Sequence, residues 1–174
     1  MDFRTLWQQG MTFSDFVAAA APEHRHLWEG VYRTASIPDW ARMPVMEERK
    51  LLALVEDWCI DTSSTIPFLA RWAEMVPGLS LRLLRRDEYP AFMDRYLTNG
   101  ARSIPIVLVL DREFREVARW GPYPAPLADW VREHKPPALP RADFVKGKRV
   151  WYARDRGETT LREIAEIVRT QVAA

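Results

Sequence analysis

The chain has a single cysteine, Cys59, and its setting is what could give it chemistry. It follows the apolar run Leu51-Leu52-Ala53-Leu54-Val55 almost at once and precedes a stretch, 62–75, in which Ile66, Leu69, Ala70 and Ala73 recur at helical spacing. A cysteine between a buried strand and a helix lies at the helix N-terminus, where unpaired N–H groups and the positive end of the dipole stabilise a thiolate. The local sequence reads Asp57-Trp58-Cys59-Ile60-Asp61-Thr62. A Thr62 hydroxyl donor should lower the thiol pKa and an Asp61 carboxylate should raise it. Glu56, Asp57 and Asp61 read either as solvated loop carboxylates or as proton acceptors for the thiol. A lone cysteine also has a bland reading, a small buried hydrophobe. With no second thiol, an intramolecular disulfide is impossible and a structural zinc site is nearly excluded. Glu23, His24 and His26 lack a third metal ligand and read as exposed helix surface.

The elements that must position Cys59 follow from periodicity. In the first 45 or so residues, Thr12 to Asp15 has capping-box spacing ahead of Phe13, Phe16, Val17 and Ala20, and Pro22 ends that element. Leu27, Trp28, Val31 and Tyr32 then share a helical face before Ile37-Pro38 breaks it, so this region predicts a helical cover. Residues 51–55 predict a strand buried on both faces, and 62–75 a helix kinked at Pro67. Leu79, Leu81 and Leu83 alternate as a second strand, 89–97 forms a helix, and Asn99-Gly100 turns the chain. A third strand over 104–110, a turn at 111–113, a strand over 115–120 and a helix over 125–134 complete the order β-α-β-α-β-β-α. A parallel pair thus gives way to an antiparallel edge. Pro136, Pro137 and Pro140 with the basic cluster Lys146-Gly147-Lys148-Arg149 read as a solvated connector over 135–148. A capping box at Thr160-x-x-Glu163 opens a last helix with Leu161, Ile164, Ala165, Val168 and Val172 on one face.

Length and composition narrow the function classes. The 174 residues contain 48% hydrophobic and 28% charged residues, which fits one globular domain: a helical extension over 1–48, a core over 49–135, and a connector and C-terminal helix over 136–174. Lys plus Arg is 25 against 24 for Asp plus Glu, so no global positive field favours a nucleic-acid partner. Apolar runs such as 104–110 fall far short of the ~20 residues of a membrane span. Met1-Asp2-Phe3-Arg4 does not open a signal peptide, which places the chain in the cytoplasm with no membrane partner. Of the eight tryptophans, Trp58 and Trp120 could line a groove, whereas Trp28, Trp40, Trp72, Trp130 and Trp151 read as packing residues.

Four features taken in order resemble the thioredoxin family: the Trp58-Cys59 pair, Pro67 eight residues after the cysteine, Gly100-Ala101-Arg102-Ser103-Ile104-Pro105 leading into a strand, and Gly121 sixteen residues after Pro105. The resemblance covers roughly 50–134. The helical start with Glu56-Asp57-Trp58-Cys59-Ile60-Asp61 looks like a poorly characterised bacterial branch of the thioredoxin-like proteins. It implies a three-layer α/β/α thioredoxin-like fold whose mixed sheet has an antiparallel edge, extended by N-terminal helices and a C-terminal helix. It also implies that Pro105 is cis and packs beside Cys59, with Ile104 offering its backbone to an extended substrate and Trp58 and Asp61 lining the groove. No cofactor is implied. Two departures matter: Thr62 stands where a second cysteine is expected, and Ala53 where the family has a buried aspartate. A dithiol cycle is therefore unavailable. What remains is a monothiol reaction of Cys59, with Thr62 beside it, on protein disulfides or glutathione mixed disulfides. The alternative is a redox-inactive module that holds extended peptides.

Overall fold

A computed structural model describes residues 2–169. Its sheet has the order β2-β1-β3-β4. Strands β1 (Arg49–Val55) and β2 (Leu79–Arg85) are parallel, joined by helix α4 (Ile60–Met75), while β3 (Ile106–Leu110) and β4 (Glu116–Trp120) are each antiparallel to their inner neighbour. Ala53 at the centre of β1 faces Leu83 on one side and Val107 on the other. Every residue of β1 and β3 is buried, Arg49 and Lys50 at the start of β1 included, and the apolar runs 51–55 and 106–110 suit strands in the middle of a covered sheet.

The two-residue period of a strand divides the core into two layers. Leu51, Ala53 and Val55 of β1 and Val107 and Val109 of β3 pack under α4 and under Phe16, Trp28, Leu161, Ile164 and Val168. Leu52, Leu54, Ile106, Leu108 and Leu110 face the other way, against Leu6, Phe92, Met93 and Tyr96. Helices α1 (Phe3–Gln9), α2 (Phe13–Ala18) and α3 (Pro22–Thr34) come from the N-terminal region; the first covers the second layer and the other two the first. With α5 (Pro90–Met93) beside α1, the arrangement is the expected three-layer α/β/α sandwich. Between α1 and α2, Met11 exchanges backbone hydrogen bonds of 2.8 and 2.9 Å with Leu83, which covers part of the open edge of β2.

Local expectations fared unevenly. Thr12 does cap α2, its hydroxyl accepting the Asp15 N–H at 3.1 Å. Pro22 begins a helix as well as following one, because proline suits a first turn where its missing N–H has no partner. Pro67 lies inside α4, which runs through it from Ile60. The helix expected over 89–97 is α5 followed by a tight 3-10 turn over 94–96, which buries Tyr96.

The solvated connector expected over 135–148 holds for 135–140 and is corrected for 141–148. Pro140 is the N-cap of a fifteen-residue helix, α7 (Arg141–Asp155), which follows α6 (Ala125–His134). Gly147 belongs to that packing, since a Cβ there would lie 2.5 Å from the Trp130 ring of α6. The capping box at Thr160 is corrected too. Helix α8 begins at Glu158, the Asp155 carboxylate accepts the Thr159 N–H at 3.2 Å, and Glu163 instead reaches across to Trp120 Nε1 at 2.6 Å and Ala125 N at 2.8 Å. Trp120 is thereby buried rather than lining a groove. Val172 lies outside the described residues. Among the described residues no helix is long and apolar enough to cross a membrane.

Candidate functional site

Cys59 is the N-cap residue of α4, in extended conformation, and its carbonyl accepts the Ser63 N–H at 3.0 Å. The strand before it ends and the helix after it starts within a few residues, so its side chain is held just beyond the C-terminal end of β1, an inner strand of the sheet. The residue is 9% exposed, and its thiol donates to the Ile104 carbonyl at 3.7 Å. The Ile104-Pro105 peptide bond is cis, and both residues are buried. Gly121, at φ +114°, closes over this turn, and a Cβ there would fall 2.2 Å from the Pro105 carbonyl oxygen. Only glycine permits so close a backbone approach.

Trp58 is the surface member of the set, half exposed, with the Arg86 guanidinium 5.0 Å from its ring centroid. Thr62 is fully buried, and its hydroxyl lies 2.7 Å from both the Glu56 and the Cys59 carbonyl oxygens. That hydroxyl braces the loop as well as facing the thiol.

The three carboxylates near Cys59 are all buried, so none is the solvated loop group considered from sequence. Glu56 accepts the Asp87 N–H at 2.9 Å, and Asp57 accepts the Ala21 N–H at 2.9 Å while its carbonyl takes the Trp28 indole N–H. Arg85 lies within ion-pair distance of both. Asp61 turns inward, away from the substrate-facing position expected for it. Its two oxygens take Lys148 Nζ at 2.6 Å and the Tyr152 hydroxyl at 3.0 Å, and the Lys148 ammonium also lies 5.4 Å from the ring centroids of Tyr123 and Phe144.

Lys148 and Tyr152 were missed from sequence. The signal that could have found them is the spacing Phe144, Lys148, Tyr152, one side of a helix at four-residue intervals; the prolines before it suggested a loop, although Pro140 in fact opens the helix.

Electrostatically the site opposes ionisation of the thiol. Burial pushes the Cys59 pKa up, the Asp61 charge adds to the rise, and the backbone N–H groups of Thr62 and Asp61 with the Thr62 hydroxyl pull weakly against it. Asp61 is itself raised by burial and held back by Lys148 and Tyr152. Tyr123 and Tyr152 are raised by burial first and by the Asp61 charge second. Among the described residues no cluster of three or more histidine, cysteine, aspartate or glutamate side chains could hold a metal ion.

Known proteins place this geometry in context. A protein of unknown function from Pseudomonas aeruginosa has a crystal structure that matches 97% of this chain and 97% of its own, with a TM-score of 0.78 at 20% identity. An HIV epitope-scaffold matches 99% of this chain and 100% of its own, also with a TM-score of 0.78, at 18% identity. These likenesses establish the fold. No curated protein matches the sequence. The family model described as thioredoxin matches residues 10–135, a span that includes Cys59, Pro105 and Gly121 and stops short of Lys148. The chain therefore belongs to the thioredoxin family.

Proposed function

We propose that the protein carries out thiol-disulfide exchange by a monothiol route through Cys59, on protein disulfides or glutathione mixed disulfides. The observation that carries this reading is the seat of the thiol: Cys59 caps α4 and lies against the Ile104 carbonyl beside cis Pro105. The Cys59 thiolate attacks one sulfur of a substrate disulfide and forms a mixed disulfide. The other sulfur departs with the electron pair and takes a proton from solvent. Because Thr62 cannot resolve this intermediate, a thiolate from outside, either the substrate's second cysteine or glutathione, attacks it and expels the Cys59 thiolate. A raised thiol pKa makes the thiolate scarce at neutral pH, intrinsically more nucleophilic when formed, and a poorer leaving group. The mixed disulfide should then be long-lived.

A second reading has its own support. Burial and the Asp61 charge both disfavour the thiolate, which suits a module that binds extended peptides beside Trp58 and Pro105 with an idle cysteine. Incubation with an oxidised model protein, followed by mass spectrometry without reductant, separates the two. Exchange predicts a persistent adduct on Cys59 that an added thiol removes and that Cys59→Ser never forms. Peptide binding by both proteins, with no adduct on either, overturns the exchange reading in favour of the module.

A further inference from the structure

A cavity of about 740 Å³ opens between α3, the start of α4 and α7. Both chain neighbours of Cys59, Trp58 and Ile60, line it, as does the Tyr152 ring whose hydroxyl holds Asp61. Its volume is in the range of small-molecule sites. The walls combine apolar surface from Leu27, Phe68 and Trp58 with the guanidinium groups of Arg149 and Arg156. Both arginines are exposed, and neither forms an ion pair with a described residue. Two carboxylates lie in the lining, and Asp57 is already occupied by the Ala21 N–H and Arg85. Glu23, exposed on α3, is the other. The cavity thus presents two uncommitted cations beside apolar side chains, and reaches the site through the chain neighbours of Cys59, whose own thiol faces the Ile104 carbonyl.

We infer that this cavity binds the non-reacting part of a carboxylate-bearing low-molecular-weight thiol, of the kind glutathione exemplifies, when that thiol is joined to Cys59 or to the substrate. The inference rests on the exchange reading and names the substrate class for it. Guanidinium groups suit carboxylates through paired, charge-assisted hydrogen bonds. With X for the small thiol, the Cys59 thiolate attacks the X sulfur of R–S–S–X, forms Cys59–S–S–X and releases R–S⁻, which is protonated by solvent. A second X–S⁻ attacks the X sulfur, forms X–S–S–X and returns the Cys59 thiolate. The second thiol is the reductant, and the charges balance at each step.

S-methylglutathione, which keeps both carboxylates but cannot exchange, tests the cavity without chemistry. Calorimetry should show saturable binding to wild type and to Cys59→Ser alike, weakened about tenfold by Arg149→Gln and again by Arg156→Gln, the scale of one charge-assisted hydrogen bond. Its diethyl ester should bind weakly and without regard to either substitution. In parallel, the two arginine variants should slow Cys59 modification by oxidised glutathione about tenfold and leave modification by uncharged 4,4′-dithiodipyridine unchanged. Equal binding of acid and ester, or arginine variants that bind like wild type, overturns the inference. So does arginine-dependent binding of an acidic peptide alone, which would make the cavity a peptide site. Failure of Cys59 to react with either disulfide refutes the exchange reading instead, and the binding measurement still decides the cavity.

Discussion

Cys59 and Asp61 lie two residues apart at the start of α4, and ionising the thiol while Asp61 is charged places two anions in one buried site. The pH-rate profile of Cys59 alkylation should therefore have its midpoint above the ~8.5 of a free cysteine. Asp61→Asn removes the second charge and should move the midpoint down; each unit of fall raises the thiolate fraction at neutral pH about tenfold, and the rate by about three- to fourfold because a less basic thiolate is a weaker nucleophile. An unchanged midpoint would show that Asp61 does not act on the thiol. The same shift links to stability. A thiol whose pKa is raised by folding favours the protonated, folded state, so its contribution is complete below the unfolded value and is lost as pH rises through the folded value. Wild type should lose stability between those two values in chemical denaturation, and Cys59→Ser should lack that loss. Thr62 gives a separate test. Its side chain sits one helical turn from Cys59, so Thr62→Cys should form a reversible disulfide under mild oxidant, detected as loss of both free thiols. A folded variant that keeps two free thiols would contradict that geometry.

Among the elements, α7 contributes most to the site for its position in the chain. It lies beyond the matched residues 10–135, yet it delivers Lys148 and Tyr152 to Asp61. Breaking a buried ion pair by removing one partner leaves an uncompensated charge, so Lys148→Met should cost about 3–5 kcal/mol in urea denaturation. Replacing both partners, as in Lys148→Met with Asp61→Leu, should recover much of that loss, because the desolvation penalty of both ions disappears. A double variant no more stable than Lys148→Met alone would mean that Asp61 and Lys148 do not balance each other. The turn after β4 carries a comparable constraint. Gly121→Ala would force a methyl group toward the Pro105 carbonyl at a φ that side chains avoid.

At the scale of the molecule, the layer over α4 is completed by a helix from the far end of the chain. Leu161, Ile164 and Val168 of α8 are buried with Phe16, Trp28 and the β1 residues in one cluster. Three such side chains stabilise a fold by roughly 5–9 kcal/mol, comparable with the whole stability of a typical domain. A chain ended at residue 135 should therefore lose its cooperative thermal transition by circular dichroism, even though it retains Cys59, Pro105 and the entire sheet. A cooperative transition in that fragment would show that the C-terminal helices are accessory.

Local pattern by itself determined the four strands, α4, α6 and the position of Cys59, because continuous or alternating apolar runs and a cap-to-helix transition are properties of neighbouring residues. The motif spacing around Cys59, Pro105 and Gly121 was equally legible: it reports a turn geometry that few residues satisfy. What only the tertiary structure decided is the environment of the thiol. Asp61 is two residues from Cys59 in sequence, but whether it meets water or Lys148 depends on a helix some eighty residues later, across a proline-rich stretch that reads locally as a loop. The same holds for Glu163, whose spacing suggests a cap for its own helix and whose carboxylate instead serves Trp120 and Ala125. Hydrogen-bonding partners and desolvation are set by what packs against a residue. Sequence periodicity encodes which face of an element is buried, and it carries no record of which distant element does the burying.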